Sequence, residues 1–340
     1  MFIPIVARED VVGTVSGAIS ASHSLLDFLY PQALNLIALA PFPAVVTRTA
    51  LMGSASFLDT FLLVPGFLVQ QDAPKVNNGE YPATAAMTTG YIFRVENQAT
   101  VAYLQRVGVT GHLIEVKVQK LTSSFKHIDP IASISYLSAI ACTFAVLLLL
   151  LIIQDVPALL FLSTLMLARL LDVIVLKKRS GKGWKGAPEP NVHGDLMILC
   201  SQDRWIRMHG LVDDLKEVTA GQWLKEMTSL DAVLAQTATL LVFASFVFAW
   251  QSSVIGSALT AGLLVVSSAL LGLCNSTTTK LRMFDCVASV VSDTPYARRR
   301  DMAKDMKEKT QGLPGYGDDK WIYGLGLMTA PAAEQPPVIL

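Results

Sequence analysis

SQDRWIRMHGLVDDLKEVTAGQWL, residues Ser201–Leu224, sets the expectation for everything outside the long apolar runs of this chain. On a helix, Trp205, Met208, Leu211, Val212, Leu215 and Val218 fall on one face at spacings of three and four, while Arg204, Arg207, Asp214 and Glu217 lie elsewhere. Gly221 can end such a helix, and Trp223 and Leu224 then lead toward the next apolar run. The spacing predicts an amphipathic helix whose stripe packs on the chain's own polar parts, with a berth in the lipid headgroup layer as the alternative. A helix lying on lipid carries mostly Lys and Arg on its polar face, whereas Asp203, Asp213, Asp214 and Glu217 balance the bases here, which favours protein contact. Trp205, Met208, Val212, Leu215 and Trp223 are the candidate interaction residues.

On either side of this stretch lie runs long enough to cross a bilayer. Ile131–Ile153 has no charged residue, and at about 1.5 Å per residue it covers a hydrocarbon core of roughly 30 Å. Asp129 is placed to cap it and Pro130 to open it; after Gln154, Asp155 and Val156, Pro157 starts a second run to Leu176. Ala232–Trp250 and Val254–Cys274 repeat the arrangement around the turn QSS, with Asp231 as a candidate cap, so two helical hairpins are expected. Small residues at Ser257 and Ala261, Ala258 and Gly262, and Ser268 and Gly272 predict close helix packing on the fourth span.

Composition agrees with a membrane protein: of 340 residues 52% are hydrophobic and only 16% charged. The formal net charge of zero gives no reason to expect nucleic acid as a partner. Lys and Arg cluster before the first span (Lys117, Lys120, Lys126), after the second (Lys177, Lys178, Arg179, Lys182, Lys185) and after the fourth (Lys280, Arg282), and are absent from both short turns. The positive-inside rule therefore puts the basic segments in the cytoplasm, leaving plasma membrane and endoplasmic reticulum undistinguished. The sequon at Asn275 then lies on the cytoplasmic side and should stay unmodified.

The expected fold class is an all-α membrane protein, a helical bundle of two transmembrane hairpins plus an extra N-terminal span, with a small cytoplasmic β element. Residues 1–72 form the N-terminal apolar region, where Ala50–Val69 is the favoured span despite Asp59 and Pro65, and a re-entrant or surface segment precedes it as the alternative. Residues 73–128 alternate apolar and polar side chains in YIFRVE and HLIEVKVQ, separated by a turn at GVTG, and predict a small antiparallel sheet. Residues 129–176 hold the first hairpin, 177–231 a cytoplasmic loop with the amphipathic helix, 232–275 the second hairpin, and 276–340 a cytoplasmic tail that becomes flexible after Thr310.

The run GDLMILCSQDRWIRMHGLVDDLKEVTAGQWL, residues 194–224, followed by a span, resembles a segment of uncharacterised multi-pass membrane proteins of filamentous fungi, and the similarity extends through the fourth span. The resemblance implies multi-pass topology and a fungal source and carries no activity. Within it Asp195, Asp203, Arg204, Trp205, Arg207, Asp213, Asp214, Gln222 and Trp223 are the residues to alter first.

Candidate chemistry is sparse. Arg169 and Asp172, three residues apart inside the second span, and Asp59 in the N-terminal run form the candidate intramembrane polar site, because a charge in a span is costly unless paired. The plainer account is that Arg169 pairs with Asp172 or reaches the interface. SGKGWKG lacks P-loop spacing, Asp213 and Asp214 point apart on a helix, and His193 and His209 have no partners at metal-ligand spacing. The four cysteines form no CxxC pair. No catalytic residue, metal site or cofactor is assigned. The expected function is a non-enzymatic scaffold or organiser acting through its cytoplasmic loop, with the bilayer and a cytoplasmic protein as partners and no oligomeric state implied. A transporter or channel using Arg169 and Asp172 is the alternative, and a membrane-embedded lipid enzyme ranks third.

Overall fold

The computed structural model of the protein describes residues 37–121, 129–313, 315–316 and 319–329; Lys126, residues 1–36 of the N-terminal apolar region and the Pro-rich end of the chain lie outside them. The elements run α1 (Ala44–Met52), β1 (Ala83–Ala86), β2 (Ile92–Arg94), α2 (Gln98–Val107), β3 (His112–Lys120), α3 (Pro130–Ile152), α4 (Val156–Arg179), β4 (His193–Cys200), β5 (Arg204–Leu211), α5 (Val212–Thr219), α6 (Ser229–Gln251), α7 (Val254–Thr277), β6 (Leu281–Met283), β7 (Cys286–Pro295), α8 (Arg299–Thr310) and α9 (Lys320–Gly324), with 3-10 segments at Phe57–Phe61 and Phe67–Lys75. Among the described residues α3, α4, α6 and α7 are long and apolar enough to cross a membrane.

The molecule is mixed α/β, which corrects the all-α expectation. Three polar segments that are distant in sequence, before, between and after the helical hairpins, combine into one seven-stranded sheet of order β2-β1-β4-β5-β3-β7-β6. Only β3 and β5 run parallel; the other neighbours are antiparallel. The strand expected at HLIEVKVQ is β3, but α2 separates it from β2, and its partners are β5 and β7.

The opening stretch belongs to this sheet. Arg204–Leu211 is strand β5, and only Val212–Thr219 is helical. Both faces of β5 are covered: Ile206 and Met208 enter a core shared with α1, α2, α5 and the end of α4, while Trp205 enters the opposite core with Met302 and Met306 of α8 and Trp321 of α9. A strand buried on both sides loses its alternating pattern, and its apolar residues can then mimic a helical stripe.

Local chemistry sets the helix ends. Asp155 caps α4 by accepting the Ala158 N–H at 3.1 Å, and Ser253 caps α7 by accepting from Gly256 at 3.0 Å. Thr228, and not Asp231, caps α6; Asp231 is the third residue of a capping box and also binds Lys178 of α4 at 2.8 Å. Asp129 stands at the cap position of α3, yet its carboxylate accepts the Thr279 N–H at 2.9 Å and ties the start of α3 to the end of α7.

The extra span expected over Ala50–Val69 does not form. Helix α1 ends at Gly53, Ser56 and Asp59 cap a 3-10 turn, and Pro65-Gly66 breaks the chain again before Phe67–Lys75. Leu62 and Val64 wedge into a core with Tyr136 and Ile140 of α3 and Leu271 of α7, and Leu63 and Phe67 enter a second core with Phe161, Leu162 and Leu165 of α4. Phe61 meets Phe144, well along α3, with ring centroids 4.9 Å apart. The segment therefore dips between the helices and returns, a re-entrant shape whose irregular backbone is enclosed by protein. It explains why α3 packs chiefly on α7 and α4 on α6, although α3 and α4 are consecutive. At the far end the two hairpin turns meet, where Asp155 Oδ2 accepts from the Ser253 N–H at 3.0 Å and from its hydroxyl at 2.5 Å.

Candidate functional site

Where the re-entrant segment leaves the bundle, it brings together polar groups that the sequence spreads from Arg48 to Tyr136. The Tyr136 hydroxyl of α3 donates to Asp59 Oδ1 at 2.6 Å, and Asp59 Oδ2 accepts the Ser56 N–H at 2.7 Å. The Arg48 guanidinium of α1 lies 5.1 Å from the centre of the Tyr136 ring. A cavity of about 240 Å³ opens here, lined by Arg48, Thr49, Met52, Ser54, Ala55, Ser56, Asp59 and Tyr136.

Deeper in the bundle Arg169 is fully buried. Its Nη1 donates to Gln70 Oε1, and its guanidinium lies 5.8 Å from the centre of the Phe67 ring. Asp59 and Asp172 act on it electrostatically, but among the described residues it forms no ion pair within 4 Å. Neither pairing with Asp172 nor reaching to the interface is thus observed; Gln70, which sequence spacing gave no reason to single out, supplies the hydrogen bond. Arg169 Nε and Nη2, Gln70 Nε2 and Thr60 Oγ1 are buried without a hydrogen-bond partner among the described residues. Asp172 is also buried, on the same helix.

Two further cavities continue along the seam between sheet and bundle. One, of about 200 Å³, is lined by Arg48, Met52, Asp129, Ala132, Ser133, Thr278, Lys280 and Arg282. The next, of about 380 Å³, shares Thr278 and Lys280 and adds Arg106, Val107, Ser276, Thr279, Ser289 and Val290. Arg106 Nη2 donates to the Ser276 carbonyl at 3.0 Å and also to that of Asn275, closing the C-terminal end of α7. Burial lowers the Arg282 guanidinium, and the neighbouring positive charge of Arg48 lowers it further, against an opposing pull from Asp129.

The five candidate interaction residues do not form a surface. Trp205 and Met208 project from opposite faces of β5, Leu215 is on the buried face of α5, Trp223 is in the turn beyond it, and all four are buried, with Val212 half-buried. The polar residues of the same stretch instead tie the sheet domain together. Arg207 Nε donates to Asp195 Oδ2 at 3.0 Å and its Nη1 to Glu115 Oε1 at 3.1 Å, while the Ser292 hydroxyl donates to Glu115 Oε2 at 2.8 Å. Burial raises the Glu115 carboxyl, but the Ser292 hydrogen bond and Arg207 outweigh it and hold the group below its usual range. Asp203 pairs with Arg299 of α8, Arg204 donates to the Ser201 and Gln105 carbonyls, and Asp213 accepts the Glu189 N–H at 2.9 Å. Asp214 is buried 3.9 Å from Lys120, Gln222 is exposed, and the Trp223 indole donates to the Gly53 carbonyl at 2.8 Å. No group of His, Cys, Asp and Glu that could hold a metal occurs among the described residues.

No protein-family model, curated protein or solved structure matches this chain.

Proposed function

We propose that the protein is a multi-pass integral membrane protein that fixes a mixed-sheet domain to the cytoplasmic face of a bilayer and organises other components there without catalysing a reaction. The observation that carries this reading is the belt of exposed apolar side chains on all four long helices, including Ile134, Leu137 and Phe144 on α3, Leu160 and Leu167 on α4, Leu240 and Phe243 on α6, and Ile255 and Val265 on α7. An uncovered apolar surface of that extent is rare on a soluble monomer and fits lipid. The cytoplasmic assignment rests on the bases at the sheet end and their absence from the two hairpin turns. The organising role now belongs to the folded sheet domain as a whole, since the expected interaction stripe is interior. The chain should stay in the membrane pellet after alkaline carbonate. Turnover of a phospholipid by the purified protein, abolished by single substitutions, would overturn the non-enzymatic assignment.

A transporter is the second reading, favoured by one observation: two guanidinium nitrogens of Arg169, without a hydrogen-bond partner among the described residues, are buried in the bundle where Asp59 and Asp172 act on them electrostatically. Substrate-dependent flux in reconstituted vesicles, lost in Asp172→Asn, would promote it over the organiser.

A further inference from the structure

We infer that the seam cavity holding Arg48, Lys280 and Arg282 binds a phosphate group, presented by the headgroup of an anionic phospholipid. The inference rests on reading the four long helices as spans. Three cations from two separate elements, α1 and the stretch entering β6, converge on one cavity of about 200 Å³. Among the described residues Asp129 is the one carboxylate in its lining, and it accepts the Thr279 N–H at 2.9 Å. The cavity therefore carries a surplus of positive charge in a partly desolvated place, where Arg48 and Arg282 also repel each other. A dianionic or monoanionic phosphate relieves that repulsion, and guanidinium forks match its oxygens.

The position selects the source of the phosphate. Ala132 and Ser133 in the cavity wall belong to the first turn of α3, the level at which a span starting at Pro130 enters the headgroup layer. Ile131, Ile134 and Leu137 on the same helix are exposed. A lipid whose phosphate sits among the three bases can lay its acyl chains along that apolar strip, whereas a free phosphate ion leaves the strip uncovered. Basic pockets at the cytoplasmic ends of transmembrane helices are suited to this kind of recognition.

The full chain in mild detergent should be titrated with dioleoyl phosphatidic acid, dioleoyl phosphatidylcholine and inorganic phosphate, with bound lipid read by native mass spectrometry. Phosphatidic acid should bind saturably and at least about tenfold more tightly than phosphatidylcholine, and Arg48→Gln with Arg282→Gln should remove about a tenfold share of that affinity, the size of one charge-assisted hydrogen bond. Arg48→Lys with Arg282→Lys keeps the charge but not the fork and should bind phosphatidic acid more tightly than the double Gln variant and less tightly than wild type, which separates a lost site from a lost fold. Lys304→Gln on α8, a helix that covers the other face of the sheet, should change nothing. Equal binding of the two lipids, or equal binding by wild type and the double Gln variant, would overturn the site. Saturable inorganic phosphate without preference between the lipids would overturn its assignment to lipid. Release of the wild-type chain from membranes by alkaline carbonate would overturn the membrane reading instead, whatever the lipid titration shows.

Discussion

Trp223 is fully buried and its indole N–H reaches across 170 positions to the Gly53 carbonyl, while its backbone N–H donates to Gln98 Oε1 at 2.9 Å. One side chain thus joins the loop after α5 to the turn after α1 and to the first turn of α2. Trp223→Ala should cost about 3–5 kcal/mol through the cavity it leaves. Trp223→Phe keeps most of the ring, orphans the Gly53 carbonyl, and should cost about 1–3 kcal/mol in thermal or denaturant unfolding of the detergent-solubilised chain. Glu217 works in a similar way with charge. It is buried, and its carboxylate meets Lys182 and Lys185, each at 2.9 Å, which anchors the loop after α4. Burial raises its carboxyl, the two lysines outweigh that, and its folded value lies below the ordinary 4.5. A depressed carboxylate adds stability that is present above the unfolded value and is lost as pH falls through the folded one. Glu217→Gln should therefore lower the melting temperature at pH 7, and the gap to wild type should narrow as pH falls below 4.5. A gap that stays constant with pH would remove the ion pairs as its cause. Sequence reading could name Trp223 and Glu217 but not their partners, because those lie at distances along the chain that no local period encodes.

At the scale of elements, the long helices were legible and the sheet was only partly so, for a common reason. A span needs nothing but length and apolar content, whereas β4 and β5, buried on both faces, show neither clean alternation nor enough length to be told from a helix. Glycine marks where the strands had to be. Gly210 of β5 lies against parallel β3 so closely that an added Cβ would stand 2.5 Å from the Val118 carbonyl oxygen. Gly210→Ala should thus cost about 1–3 kcal/mol by overpacking. Gly262 on α7, by contrast, has nothing within 4 Å of an added Cβ, so Gly262→Ala should carry no packing cost and should stabilise the helix by about 0.5–1 kcal/mol. The same contrast limits the small-residue spacing seen in sequence: Gly262 and Gly272 face open space, and the close approach on α7 occurs at Gly256, beside Asp155. The C-terminal α8 makes a related point. Its Met302 and Met306 are buried against the sheet and its Lys307 and Lys309 pair with Asp319 and Asp305, which leaves it no apolar face to offer a lipid surface.

For the whole molecule, the two ends of the bundle differ in kind. At one end the helices feed a sheet domain rich in Lys and Arg; at the other, two turns without Lys or Arg meet through Asp155 and Ser253. If the bundle spans a bilayer, those ends must lie in separate compartments, and both sites offer good positions for a label. Gln251 is exposed at the end of α6, and Gly183, in the loop after α4, has no atom within 4 Å of an added Cβ. The native thiols should contribute little background. Cys200, Cys274 and Cys286 are buried and Cys142 is half-buried, and burial pushes the Cys200 and Cys286 thiols up to about 12, far from the thiolate that reacts with maleimide. Gln251→Cys and Gly183→Cys should therefore label with an impermeant maleimide from opposite sides of sealed vesicles, Gly183→Cys from the cytoplasmic side. Labelling of both from one side would deny that the four helices cross the membrane as paired hairpins, and labelling from the reversed sides would keep the crossing but place the sheet domain outside the cytoplasm.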